Sequence, residues 1–145
     1  MSDRLNQQAL RIRKEMGELS YIATTHIDMA RLALSNARYD KAENLLAAAQ
    51  KYYLEVGDWA GASRCRGYLG IVRAYRNHTE AELVTVFENI EALGALHRHA
   101  EQVELFAELA RIYTHFGNIE QIEMMTQRKL ALASQLEHDL VKDSV

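Results

Sequence analysis

Apolar and polar residues along this chain follow the period of an α-helix. Residues 103–122 show the period most clearly, because their apolar positions share one helix face: Val103, Phe106, Leu109, Ala110 and Tyr113. Gly117-Asn118 ends the pattern, since both residue types accept the positive φ that closes a helix. Apolar positions resume after this turn, so the stretch predicts a hairpin of two helices.

Similar residue types recur every forty residues. The recurring sets are the small residues Ala30, Gly70 and Ala110, the apolar residues Met29, Leu69 and Leu109, and the acidic residues Asp40, Glu80 and Glu120. A helical hairpin of this kind cannot bury its apolar face alone and is stabilised by stacking on the next hairpin. The pattern therefore predicts an all-α fold built as an array of helical hairpins.

The array is expected to hold seven helices in one domain of 145 residues. The predicted units are an N-terminal helix at 3–17, repeats at 18–57, 58–96 and 97–137, and a tail at 138–145. Gly17, Gly57 and Gly94 are the predicted helix ends between the units. Because Gly57 and Gly94 are less than forty residues apart, the second helix of the middle repeat is predicted to be short.

The composition is that of a soluble globular protein, with 48% apolar residues, 26% charged residues and a net charge of −3. No apolar run reaches the ~20 residues that span a bilayer, and the first residues lack the apolar core of a secretory signal. Cys65 is the single cysteine and cannot form an internal disulfide, which fits a reducing compartment. We therefore expect a cytoplasmic protein without membrane contact. The negative charge argues against direct binding of nucleic acid.

The residues around the turns carry a family resemblance. Each repeat has an apolar and then a small residue in its first helix, followed by a turn at Ala37, Asn77 or Gly117. The first and third repeats continue as Tyr39-Asp40-Lys41-Ala42 and Ile119-Glu120-Gln121-Ile122. This pattern resembles the tetratricopeptide repeat, in the longer variety seen in bacterial signalling regulators, over nearly the whole chain. The resemblance implies a right-handed α-solenoid whose first-type helices line a groove for a peptide or partner helix.

The resemblance also implies which residues would line that groove. By repeat position they are Thr24, Ile27, Arg31 and Leu34, then Arg64, Gly67, Ile71, Ala74 and Tyr75, then Glu104, Ala107, Arg111, Thr114 and His115. Arg31 and Arg111 occupy equivalent positions and would flank an apolar floor. Because guanidinium groups suit carboxylates, the expected ligand is a mostly apolar protein segment with acidic residues.

An uneven charge distribution offers a second explanation for these arginines. Residues 59–79 contain four arginines and no acid, whereas residues 80–108 contain seven acids and one arginine. The arginines are therefore also placed to pair with acids of neighbouring helices. Gly67 and Gly70, which each cost a helix about 1 kcal/mol, likewise allow two explanations. These are close helix packing and, at Gly67, room for a ligand backbone.

Signatures of catalysis and of metal binding are missing from the sequence. The six histidines form no Glu-x-x-His or His-Glu-x-x-His spacing, and no Cys-x-x-Cys occurs. We therefore expect no catalytic residue, metal or cofactor. Cys65 lies between Arg64 and Arg66, whose charges would lower the pKa of a reactive thiol. The alternative is that Cys65 is a small core residue.

We therefore expect a non-enzymatic interaction or sensor module of a bacterial signalling or regulatory protein. One alternative is a self-associating structural module, because a bare apolar face on the first helix favours a homodimer. Another is a small all-α metal-binding protein or enzyme. Residues 140–145 are faintly similar to the segment that precedes a diguanylate cyclase domain. A fused output domain, either a cyclase of that kind or a DNA-binding domain, is therefore a further expectation.

Overall fold

The structure is a computed structural model that describes residues 2–143, with the side chains of residues 4–142. It contains helices α1 (Ser2–Ser35), α2 (Tyr39–Glu55), α3 (Trp59–Asn77), α4 (Leu83–Ala95), α5 (His99–Phe116) and α6 (Ile119–Asp143), and a 3-10 turn at Glu80–Glu82. Residues 2–143 include no strand, so the predicted all-α class is confirmed for them. In the same range no helix combines the length and apolarity needed to cross a membrane.

The predicted helix break at Gly17 is wrong, because α1 runs through this residue without interruption. A glycine inside a helix costs about 1 kcal/mol, which is too little to end a helix of 34 residues. The seven predicted helices are therefore six in residues 2–143. The predicted tail at 138–145 is helical as far as Asp143, and residues 144 and 145 lie outside the described residues.

The connections between successive helices share one turn geometry. Each contains a residue with a left-handed φ: Ala37, Gly57, His78, His97 and Gly117. The N–H of the next residue donates to the carbonyl oxygen five positions earlier, as from Arg38 to Ala33 at 2.8 Å and from Asn118 to Tyr113 at 2.9 Å. This bond satisfies one of the last carbonyl groups of a helix. The left-handed residues lie about twenty positions apart, so each hairpin repeats after about forty.

The middle repeat departs from this spacing by one residue. Its left-handed residue is His78 rather than Asn77, the position equivalent to Ala37 and Gly117. The 3-10 turn at Glu80–Glu82 then takes the place of the first turn of α4. As predicted, α4 is short, with 13 residues against 17 in α2.

Each helix packs mainly on its neighbours in the chain, and α3 also packs on α5. Large side chains with almost no exposed surface fill these contacts: Ile27, Leu46, Tyr68, Ile71, Leu105, Leu109 and Ile112. A Cβ at Gly70 would lie 2.7 Å from Val86 Cγ2, and a Cβ at Gly67 would lie 2.6 Å from Leu105 Cδ1. Both glycines therefore allow close helix packing, and the alternative that Gly67 makes room for a ligand is wrong.

Cys65 belongs to the same core. Its side chain has no exposed surface, and burial raises the pKa of the thiol to about 12. The charges of Arg64 and Arg66 act in the opposite direction but are outweighed by burial. A buried thiol with a raised pKa is a poor nucleophile, so the reactive-thiol alternative is wrong.

Candidate functional site

A cleft of about 580 Å³ lies between α1, the last turn of α3 and the middle of α5. It is lined by Asp28, Arg31, Leu32, Leu34, Ser35, Ala37, Tyr39, Tyr75, Glu108 and Arg111. Each of these residues on α1 and α5 has another cleft residue three or four positions away on its own helix, the spacing that places side chains on one helix face. The helices thus present these side chains to a common space.

The cleft has an aromatic part. Tyr39 and Tyr75 stack with ring planes 6° apart and centroids 5.9 Å apart, and the ring of His115 lies 5.2 Å from that of Tyr75. Leu32 also lines the cleft and is 65% exposed. Partly exposed aromatic rings and an exposed leucine are suited to contact apolar side chains of a partner.

The cleft also has two arginines, and each is held by an acid of α5. Arg31 Nη1 lies 2.8 Å from Oε1 of Glu104, and Arg111 Nη1 donates to Oε1 of Glu108 at 2.6 Å. Arg111 nevertheless keeps 67% of its side chain exposed, and this bond uses one of its five N–H donors. Arg111 is therefore oriented by Glu108 and accessible to a ligand oxygen.

Glu104 joins three helices in one ion-pair network. Arg64 of α3 donates two hydrogen bonds to its carboxylate, from Nε at 2.9 Å and from Nη2 at 2.6 Å. Arg31 of α1 binds the same carboxylate. Both guanidinium groups lie over the ring of Tyr68, 5.7 and 5.9 Å from its centroid. The network ties α1 and α3 to α5 and so supports the shape of the cleft.

Glu104 and Glu108 lie one helical turn apart, and their pKa values are shifted in opposite directions. Burial alone would raise the pKa of Glu104, but the hydrogen bonds and charges of its arginine partners outweigh burial and lower it. Burial raises the pKa of Glu108, and the attraction of Arg111 and Arg31 opposes this only in part. Ionisation is thus stabilised at Glu104 and disfavoured at Glu108.

Separate replacement of these two acids by glutamine should change stability differently. At pH 7, Glu104→Gln should lower the free energy of unfolding by about 1–3 kcal/mol, because Arg64 loses its carboxylate while largely buried. The folded-state pKa of Glu104 is lowered, so its contribution is present above the ordinary value near 4.3 and is lost as pH falls through the folded value. Glu108→Gln should leave stability unchanged or raise it by about a few tenths of a kcal/mol, since ionised Glu108 is already disfavoured.

Urea unfolding of both variants at pH 7 and pH 4 measures these differences. The loss in free energy of unfolding caused by Glu104→Gln should be smaller at pH 4, because Glu104 is then partly protonated. Any gain in free energy of unfolding from Glu108→Gln should disappear at pH 4, because the raised folded-state pKa of Glu108 leaves it protonated there. Arg98→Gln removes an exposed pair with Glu101 and serves as the control, with a loss below about 1 kcal/mol. Equal losses for the two glutamine variants at pH 7 would contradict this account.

The structure divides ten of the fourteen predicted groove residues into three groups. Arg31, Leu34, Tyr75 and Arg111 line the cleft. The buried residues Ile27, Gly67, Ile71 and Ala74 belong to the core rather than the groove, because α1 is packed on α2, and α3 is packed against α2, α4 and α5. Arg64 and His115 lie beside the cleft, one in the ion-pair network and one against Tyr75.

Pairing of an arginine with an acid of another helix within residues 80–108 is confirmed for Arg31 and Arg64, whereas Arg111 pairs with Glu108 of its own helix. The other cleft residues were not predicted: Asp28, Leu32, Ser35, Ala37, Tyr39 and Glu108. Helical spacing from Arg31 would have found Asp28 and Ser35, and Leu32 lies four positions after Asp28. The sequence assigns Tyr39 to the turn motif and Glu108 to the acidic stretch, without a signal that the two meet.

No protein-family model matches the chain, and no curated protein or solved structure matches it. Among the described residues, no three histidine, cysteine, aspartate or glutamate side chains are grouped so that they could hold a metal ion. A function for this chain is therefore proposed from the side chains that line the cleft.

Proposed function

We propose that this chain is a tetratricopeptide-like α-solenoid and that its cleft binds a short segment of another protein. The regular left-handed turn residues and the packing of helices on their chain neighbours support the solenoid, because helices of a solenoid pack mainly within a repeat and on the adjacent repeat. The ion pair of Arg31 with Glu104 adds a side-chain contact between the first and third repeats. The observation that carries the binding role is the combination of aromatic and apolar side chains with an exposed, oriented Arg111 in one cleft.

The ligand is a mostly apolar segment that carries an acidic residue. The apolar contact area comes from Leu32, Tyr39 and Tyr75. The two acids of the cleft balance its two arginines in formal charge, so the cleft does not favour a strongly acidic peptide by its overall field. A guanidinium that is already oriented instead offers directional hydrogen bonds to a single carboxylate.

On the resemblance alone, we further propose a cytoplasmic, non-enzymatic module of a bacterial regulatory protein. In such a protein, ligand binding in the cleft would change the state of an output domain in the same protein. Arg31 could transmit a change on ligand binding, because its ion pair with Glu104 connects a cleft residue to α5 and, through Arg64, to α3.

Selection of peptides from a random dodecapeptide library on the immobilised protein tests the binding role. Enriched peptides should combine apolar residues with an aspartate or glutamate. Arg111→Glu should weaken their binding at least about tenfold, equivalent to about 1.4 kcal/mol, because the charge that meets the carboxylate is reversed. Leu32→Ser should weaken it several-fold through loss of apolar contact.

Arg66→Glu is the matched control, because Arg66 is exposed on α3 and does not line the cleft. Fluorescence anisotropy should give this variant the affinity of the unmodified protein, and circular dichroism should show equal helicity for all three variants. The cleft would be ruled out as the binding site if the protein enriched no peptide over the support without protein. It would also be ruled out if Arg66→Glu and Arg111→Glu lost equal affinity for the enriched peptides.

A further inference from the structure

The first helix is twice as long as the helix that packs on it. α1 has 34 residues and α2 has 17, so α1 extends by roughly 25 Å at 1.5 Å per residue. Residues 4–18 of this extension are all exposed. We call residues 4–19 the N-terminal extension.

The N-terminal extension carries an apolar seam that continues a face of the core. Its members alternate four and three positions apart, the heptad spacing of paired helices: Leu5, Ala9, Ile12, Met16 and Leu19. The same spacing leads to Ala23 and Ala30, which are buried in the part of α1 that packs on α2. Leu5 and Ile12 are 65% and 55% exposed. One helix face is thus covered in its second half and bare in its first.

We propose that a second copy of this chain covers the seam, with the two N-terminal extensions paired antiparallel. α2 already covers the seam from Ala23 onward. A parallel partner helix would need that same face and would collide with α2. An antiparallel partner helix can instead cover the seam at residues 5–19 without needing the face that α2 covers.

Side-chain sizes favour one antiparallel register. It places Leu5 opposite the second copy's Met16 and Ala9 opposite the second copy's Ile12, and the two-fold symmetry repeats both contacts. Each small residue therefore faces a large one, whereas a parallel pair would set Ala9 against the second copy's Ala9 and leave a void.

Charges beside the seam are compatible with the same register. Arg13 lies opposite the second copy's Asn6, and Glu15 lies opposite the second copy's Gln8, so like charges do not meet across the pair. The neutral facing residues leave the apolar seam as the source of affinity.

Sedimentation velocity from micromolar to millimolar concentration should show a monomer–dimer equilibrium, weak because the interface is small. Ile12→Lys should raise the dimer dissociation constant at least about a hundredfold, since two lysines would enter an apolar contact. Leu10→Lys is the matched control, because Leu10 is 62% exposed, similar to Ile12, but lies off the seam. Both positions are exposed in the monomer, and circular dichroism should show that both variants fold.

Disulfide trapping tests the orientation. A mixture of Leu5→Cys and Met16→Cys proteins should form a mixed disulfide on oxidation, whereas Leu5→Cys alone should remain unlinked because its two copies lie far apart in the antiparallel register. Cys65 is buried and common to both. A monomer at every concentration, equal effects of Leu10→Lys and Ile12→Lys, or a disulfide formed by Leu5→Cys alone would overturn the proposal.

Discussion

Replacing Gly70 by valine is expected to lower the free energy of unfolding by about 3 kcal/mol. A Cβ at this position would lie 2.7 Å from Val86 Cγ2 and 3.2 Å from the backbone oxygen of Glu82. The backbone oxygen cannot rotate away as a side chain can. The valine would therefore force α3 and α4 apart and disturb the core contact between them. Urea unfolding measures the loss as a lower midpoint.

Gly17→Ala is the matched control, because Gly17 also lies inside a helix but a Cβ there would meet nothing within 4 Å. Without a clash, the higher helix propensity of alanine should stabilise α1 by up to about 1 kcal/mol. A loss of stability in Gly17→Ala, or no loss in Gly70→Val, would show that packing at Gly70 does not decide the outcome.

These two glycines also show how far sequence predicts this fold. Gly70 could be read as a packing residue because equivalent small residues, Ala30 and Ala110, occur forty positions away. Gly17 has no such context, and it was predicted as a helix end by analogy with Gly57. Gly57 does end α2 with φ of 73°, whereas Gly17 continues α1. A local sequence signal cannot distinguish these cases, because the neighbouring helices decide whether the chain must turn.

The sequence predicts only part of the cleft, again because the neighbouring helices decide which positions are exposed. Arg31, Ile71 and Arg111 share one repeat position, so the resemblance assigned all three to the groove. Arg111 is 67% exposed, whereas Ile71 is fully buried because α3 lies between other helices. The apolar character of Ile71 was the available signal for its burial. The stacking of Tyr39 on Tyr75 depends on how α2 and α3 pack. The local spacing of residues in the sequence does not predict it.

Leu105→Ala should be nearly as destabilising as Gly70→Val or more so, with an expected loss of about 2–5 kcal/mol. Leu105 is fully buried, and its side chain lies against Gly67, where α5 packs on α3. Truncation leaves a cavity at the contact that positions Glu104 and Glu108 beside the cleft. Thermal unfolding should show a melting temperature lower by roughly 6–15 °C for a chain of this size.

A second substitution at Gly67 tests whether this contact is the cause. In the unmodified protein, Gly67→Ala should be neutral or destabilising by up to about 1 kcal/mol, because the added Cβ would lie 2.6 Å from Leu105 Cδ1 and this clash offsets the gain in helix propensity. In the Leu105→Ala background the same change should stabilise by about 1 kcal/mol, since the methyl group enters the cavity and the propensity gain remains. The coupling of about 1–2 kcal/mol is typical of residues in direct contact, and additive effects of the two substitutions would show that Leu105 acts through some other neighbour.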